Sequence, residues 1–145
     1  MRVVSRQVEG QPLTVIVEYP EYNGSTADLI KRINDLDIRF YANDDGKQIK
    51  IDLADIYYME NVERKLFIYT EKDVYRYEST MAEALAHTAG TGLVRISRTC
   101  IMNAEHLKEI RQIRNSHLEA VLDNGEKLIV SRKYLRDIKE VFKRG

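Results

Sequence analysis

The chain has 145 residues, about one domain's worth. It is 43% hydrophobic and 32% charged, the composition of a soluble globular chain long enough to bury a core. No run of about 18 apolar residues occurs, which excludes a membrane-spanning helix. The opening Met1-Arg2-Val3-Val4-Ser5-Arg6 lacks the apolar region of a secretory signal. Cys100 is the lone cysteine, so no internal disulfide is expected and a reducing cytoplasm is the simplest location. Lys plus Arg number 23 and Asp plus Glu number 23, an argument against a non-specific polyanion binder. The balance is uneven. From Leu93 onward twelve basic residues face seven acidic ones, and the first 92 residues carry the opposite excess of five. A basic C-terminal third points to an anionic partner there.

In chain order, Leu13 to Tyr19 reads as a β-rich run that Pro20 ends, because proline cannot donate to a ladder. Asn23-Gly24 signals a turn, and Ser25 or Thr26 is placed to cap a helix. Leu29, Ile30, Ile33 and Leu36 follow at helical spacing. This strand-helix prefix, residues 1–36, is too short to be a domain, so its apolar face must dock on the remainder or on another subunit.

From Asp37 the pattern is that of strands. Ile38 and Phe40 alternate with polar neighbours, Asn43-Asp44-Asp45-Gly46 reads as a hairpin turn, and Ile49 and Ile51 alternate again. Strands are predicted at Ile56–Glu60, Lys65–Thr70 and Val74–Glu78, with tyrosines suited to a half-buried sheet. Thr80 and Glu83 have capping-box spacing and open a short helix that stops at Gly90-Thr91-Gly92. Further strands are expected at Leu93–Ile96, Leu107–Arg114, His117–Leu122 and Leu128–Val130, the last after the Asp123-Asn124-Gly125-Glu126 turn. From Ser131 an amphipathic helix carries Tyr134, Leu135, Ile138, Val141 and Phe142 on one stripe.

Motifs for catalysis and for metal or cofactor binding are missing from this pattern. His87, His106 and His117 have no metal-ligand spacing, and one cysteine gives no Cys-x-x-Cys pair. The glycines at 90 and 92 precede a strand and lack the rest of a phosphate or dinucleotide loop. Asp44-Asp45 sits in a turn, where such side chains bond their own backbone. Neither an enzyme nor a cofactor is expected.

What remains is a set of arginines beside turns and strand ends. Val94-Arg95-Ile96-Ser97-Arg98-Thr99-Cys100-Ile101-Met102-Asn103 places two arginines three apart. Ser131-Arg132-Lys133-Tyr134 lies where a strand ends and a helix begins, with Ser131 as a natural N-cap whose first-turn amides favour a phosphate. Arginine holds phosphate and also reads guanine bidentately.

These residues carry a resemblance. Ile51 to Glu60 resembles the opening of the LytTR DNA-binding domain of bacterial response regulators. Val94 to Asn103 resembles its central signature, and Asn124-Gly125 followed by Ile129 to Tyr134 resembles its closing one. The three motifs stand in the family's order and cover residues 37–145. The resemblance implies a mainly β fold, an elongated β-sandwich of about ten short strands, with the middle and C-terminal helices and the N-terminal strand-helix extension read above. It implies that loops and strand ends enter the major groove. Arg98 and Arg132, and Arg64 at the start of the strand after a Glu60 loop, resemble the base-reading positions. Arg95, Ser131, Lys133 and Asn103 resemble positions that hold backbone phosphates or brace a loop; for Arg95 a salt bridge to a carboxylate is the plain alternative. Ser97-Arg98-Thr99 departs from the family's usual His-Arg/Asn-Ser.

Thirty-six residues cannot hold a five-stranded receiver domain, so the resemblance is to stand-alone LytTR regulators, and control by aspartyl phosphorylation is not expected. The expectation is a cytoplasmic transcription regulator that binds double-stranded DNA and does not insert in a membrane. Its residues 1–36 would serve homodimerisation, docking of a regulatory protein, or packing on the β domain. The rival readings are a protein-interaction module without DNA contact and a single-strand or RNA binder with exposed aromatics.

Overall fold

The computed structural model describes residues 1–36, 38–114 and 117–143, the last three by backbone alone. The helix α1 (Gly24–Leu36) precedes the strands β1 (Arg39–Asp44), β2 (Lys47–Asp52), β3 (Tyr58–Val62), β4 (Lys65–Tyr69) and β5 (Val74–Tyr77). The helix α2 (Met81–His87) leads to β6 (Leu93–Ser97), β7 (Cys100–Asn103), β8 (Leu107–Gln112), β9 (Leu118–Leu122) and β10 (Lys127–Val130), and α3 (Leu135–Lys143) closes the chain. Seven strands form one sheet in the order β2-β1-β5-β4-β3-β7-β6, and β10-β9-β8 form a second. All the pairings are antiparallel. The mainly β, two-sheet expectation is met.

Local chemistry sets the hairpins. Asp44 pairs with Lys47, leaving Asp45-Gly46 as a two-residue turn with φ of 50° and 83°. This left-handed pair suits the twist of the flanking strands, and glycine adopts it without a Cβ clash. At the start of α2 the Thr80 hydroxyl accepts from the Glu83 amide at 3.1 Å while the Glu83 carboxylate accepts from the Thr80 amide. Two otherwise orphaned amides are thereby satisfied.

The seven-stranded sheet is covered on both faces. Tyr58, Val94, Ile96 and Met102 pack against Leu118, Ala120, Leu122, Leu128 and Val130 of the small sheet and Ile138 of α3. Met59 and Ile101 point the other way, into a core with Phe40, Ile51, Leu66, Ile68 and Ala84 of α2. Full burial of each of the larger aliphatic, methionine and phenylalanine side chains contributes about 1.5–3 kcal/mol. Every residue of β7 is buried. That explains why the sequence pattern shows no strand at Cys100–Asn103: alternation vanishes when both faces are covered.

Several local expectations are corrected. Leu13–Tyr19 forms no strand, because no strand among the described residues pairs with it, and Leu13, Val15 and Ile16 stand exposed. The cap of α1 is Asn23, whose side-chain oxygen accepts from the Thr26 amide at 3.1 Å, not Ser25 or Thr26. Between residues 52 and 58 a single 3-10 turn, Leu53–Asp55, interrupts the ladder. Asp37, the boundary in the sequence pattern, and the side chains of Val141 and Phe142 lie outside the described residues. The helix α1 has no fully buried residue. It is tied to the β domain by Lys31, which bonds Glu105 and lies 3.7 Å from Asp35.

Candidate nucleic-acid interface

Three arginine-bearing segments meet at one end of the seven-stranded sheet, and the ladder register brings them there. The β3–β4 hairpin closes with Val62 opposite Lys65. Glu63 and Arg64 are its two turn residues, with φ of 51° and 68°. Glu60 therefore lies inside β3, and Arg64 sits in the turn rather than at the start of the next strand. A two-residue turn of this hand normally carries Asn-Gly. A side chain held there costs on the order of 1 kcal/mol per residue. The chain thus keeps an exposed guanidinium at a position where glycine would be more stable.

Next along the sheet, β3 pairs with β7 so that Glu60 faces Cys100, and the Asn61 amide donates to the Thr99 carbonyl at 2.8 Å. This sets the β6–β7 turn, with exposed Arg98 at its tip, beside the end of β3. Arg95 governs the shape of that turn. Its Nε donates to the Ser97 carbonyl at 3.1 Å and a terminal nitrogen donates to the Arg98 carbonyl at 2.6 Å. Its guanidinium also lies 5.4 Å from the centre of the Tyr134 ring. The partners of Arg95 are thus carbonyls and a ring rather than the carboxylate of the plain alternative.

Tyr134 belongs to the third segment. The Ser131 amide donates to the Ile96 carbonyl at 2.8 Å, pinning the end of β10 against β6. A single 3-10 turn, Arg132–Tyr134, follows and runs into α3. Ser131 occupies the N-cap position, but its hydroxyl makes no capping bond, which corrects the capping expectation. Arg132 and Lys133 are exposed, and the Lys133 ammonium lies 5.6 Å from the Tyr134 ring centre. Tyr134 is thus shared by two cations from two segments.

Asn103 is set apart from this cluster. It is 1% exposed. Its amide nitrogen donates to the carbonyls of Ile56 at 2.8 Å and Leu53 at 3.3 Å, and its oxygen accepts from the Glu105 amide at 3.1 Å. Of the two roles the resemblance offered, bracing is compatible with this burial and phosphate contact is not.

Between the sheets an open groove of about 920 Å³ runs up to Arg132, lined by Tyr58, Glu60, Cys100, Glu126 and Leu128. The Tyr58 hydroxyl donates to Glu126 at 2.9 Å. Burial first, and that bond second, push the Tyr58 phenol above its ordinary value. Burial likewise pushes the Cys100 thiol up, so it is protonated and a poor nucleophile. Two carboxylates in the groove repel phosphate, whereas the arginines stand at its rim. Sequence reasoning missed Tyr134 as the shared ring and Thr99 as the link between turns; neither has a local signature.

Comparison with known proteins matches residues 46–143 to the LytTr DNA-binding domain. The sensory transduction protein LytT of Enterococcus faecalis is 33% identical over 86 residues, 59% of this chain and 36% of that protein. The transcriptional regulatory protein BtsR of Escherichia coli is 44% identical over 50 residues, 34% of this chain and 21% of that protein. The chain therefore spans less than two fifths of the length of these relatives. Among solved structures, a LytTr DNA-binding domain of a Bacillus cereus methyl-accepting/DNA response regulator superposes with a TM-score of 0.65 at 20% identity. That likeness covers 71% of this chain and 94% of the other.

Proposed function

This chain belongs to the LytTR family of DNA-binding domains, and we propose that it is a sequence-specific transcription regulator of double-stranded DNA. The observation that carries the proposal is the convergence of three arginine-bearing segments at one end of the sheet, tied by the Asn61–Thr99 and Ser131–Ile96 bonds. In this reading Arg98 and Arg132, with Arg64, meet base edges in the major groove. Lys133 and the Ser131 segment meet phosphates. Arg95 holds the Arg98 turn in place, and Asn103 braces the Leu53–Ile56 loop away from the reading turns. The residues preceding β1 form an assembly or docking element, for a second copy or a regulatory protein, and the regulator works in the cytoplasm.

Base contacts and phosphate contacts differ in what their loss does. Removing a bidentate arginine–guanine contact costs about 1–3 kcal/mol of discrimination between sites. Removing a phosphate contact weakens all sites alike and lowers the salt slope by about 0.9. The test is a fluorescence titration of cognate and scrambled duplexes over a range of salt. Arg98→Ala and Arg132→Ala are each expected to narrow the gap between cognate and scrambled duplex by about 1–3 kcal/mol, while Lys133→Ala weakens both alike. Undiminished preference in both arginine variants would overturn the proposal.

A further inference from the structure

The first 23 residues form neither helix nor strand and hold a concentration of exposed apolar side chains: Val3, Val4, Val8, Leu13, Val15 and Ile16. The LytTr match begins at residue 46, so these residues lie outside the domain the family shares. The run Leu13-Thr-Val-Ile-Val-Glu-Tyr19 has strand chemistry and, among the described residues, no strand beside it. Such a run offers unpaired amides and carbonyls to another chain.

Its sequence is matched to itself. The chain's two prolines are Pro12 and Pro20, and they stand at equal distances on either side of Ile16. When two copies cross antiparallel about Ile16, Leu13 faces Tyr19, Thr14 faces Glu18, Val15 faces Val17, and Ile16 faces Ile16. Apolar residues meet apolar ones and Glu18 meets a hydroxyl. A parallel in-register pairing sets Glu18 against Glu18, which like charges disfavour. The prolines also fit. Pro12 faces Pro20 and falls in the same class of pair as Ile16. If that class is the non-hydrogen-bonded one, the missing proline amides cost the ladder nothing.

We propose that residues 13–19 are the interface of a symmetric homodimer, pairing antiparallel with the same segment of a second copy across a two-fold axis at Ile16. This rests on the assembly role proposed above for the residues before β1 and names its occupant. The interface is isologous, as closed dimers require. A two-stranded ribbon is marginal alone in water. Here one face carries Leu13, Val15, Val17 and Tyr19 of both copies. The helix α1 follows within a few residues, with Leu29, Ile30 and Ile33 only half-buried and Leu36 exposed. Its stripe supplies the apolar cover.

The experiment uses the full chain. Facing residues in a non-hydrogen-bonded pair have Cα atoms about 4.5 Å apart, within reach of a disulfide. Under mild oxidation Ile16→Cys is expected to cross-link to itself. Thr14→Cys alone is not, but mixed with Glu18→Cys it is. The parent, whose Cys100 is buried, is the control. In light scattering, Ile16→Asp sets two carboxylates on the axis and is expected to bring the mass down to one chain. Its far-ultraviolet circular dichroism stays parental, because Ile16 is 74% exposed in the single chain. A parent that is monomeric at all concentrations overturns this interface and self-assembly with it, and leaves docking of a regulatory protein as the role of these residues. A dimer that survives Ile16→Asp, or cross-links at Thr14→Cys alone and not at Ile16→Cys, overturns the interface and leaves the assembly role standing. Neither result bears on DNA reading, which the duplex titration decides.

Discussion

Replacing Asn103 separates a brace from a DNA contact. Its side chain serves three backbone groups: the carbonyls of Leu53 and Ile56 and the amide of Glu105. In Asn103→Ala the Leu53 carbonyl keeps the Ile56 amide at 3.1 Å. The loss therefore falls on the Ile56 carbonyl and the Glu105 amide. Leaving these two without partners costs about 2–4 kcal/mol in all. For a chain of this size that lowers the melting temperature by roughly 5–15 °C. Asn103→Asp has the same shape but aims a carboxylate at two carbonyls in a buried site. It is expected to be worse than alanine at neutral pH. Its carboxyl would be pushed above the ordinary value, so the added penalty disappears below the ordinary carboxylate range and grows as pH rises through the raised value. Circular dichroism melts at neutral and acid pH measure both effects, and a duplex titration well below the transition measures binding. Melting is expected to fall with affinity largely kept. Parental melting with lost affinity would refute the bracing argument.

Three further outcomes follow from the geometry. Arg64→Gly relieves a left-handed turn position, so stability is expected to rise by about 1 kcal/mol while affinity for the cognate duplex falls; a chemical denaturation curve and a titration read the two. Arg95→Lys keeps the charge but cannot reproduce the two carbonyl bonds and the ring contact. Specificity is therefore expected to fall as far as in Arg95→Ala with the salt slope unchanged, and a fallen slope would make Arg95 a phosphate contact. Burial raises the Asp35 carboxyl above its ordinary value against the pull of Lys31, and one of its oxygens lacks a partner. A raised folded value means that α1 docks best below the ordinary carboxylate range and loses part of that docking as pH rises. Asp35→Asn is thus expected to increase hydrogen-exchange protection of α1 at neutral pH, with the gain vanishing in acid.

Periodic signals were legible where one face of an element meets water. Phe40 in β1, the Asp45-Gly46 turn, and the Thr80–Glu83 box all follow from short-range chemistry. Illegibility began where distant segments decide. The strand β7 is buried on both faces and shows no alternation. Glu63-Arg64 is no turn dipeptide, yet the Val62–Lys65 pairing imposes a turn on it. The arginine motifs were visible at 95, 98 and 132, but not the Glu60–Cys100 register and the Ser131–Ile96 bond that gather their segments. The strand expected at 13–19 has the right residues and lacks a neighbour within the chain, a condition that propensity alone does not test.

Base-resolved selection from a random duplex library, run in parallel with the parent, Arg98→Ala and Arg132→Ala, addresses the reading of base edges by these guanidinium groups. The parent is expected to select a defined guanine-bearing site, and each variant to lose preference at a different base position. Identical selected sequences, equally enriched by all three proteins, would contradict this.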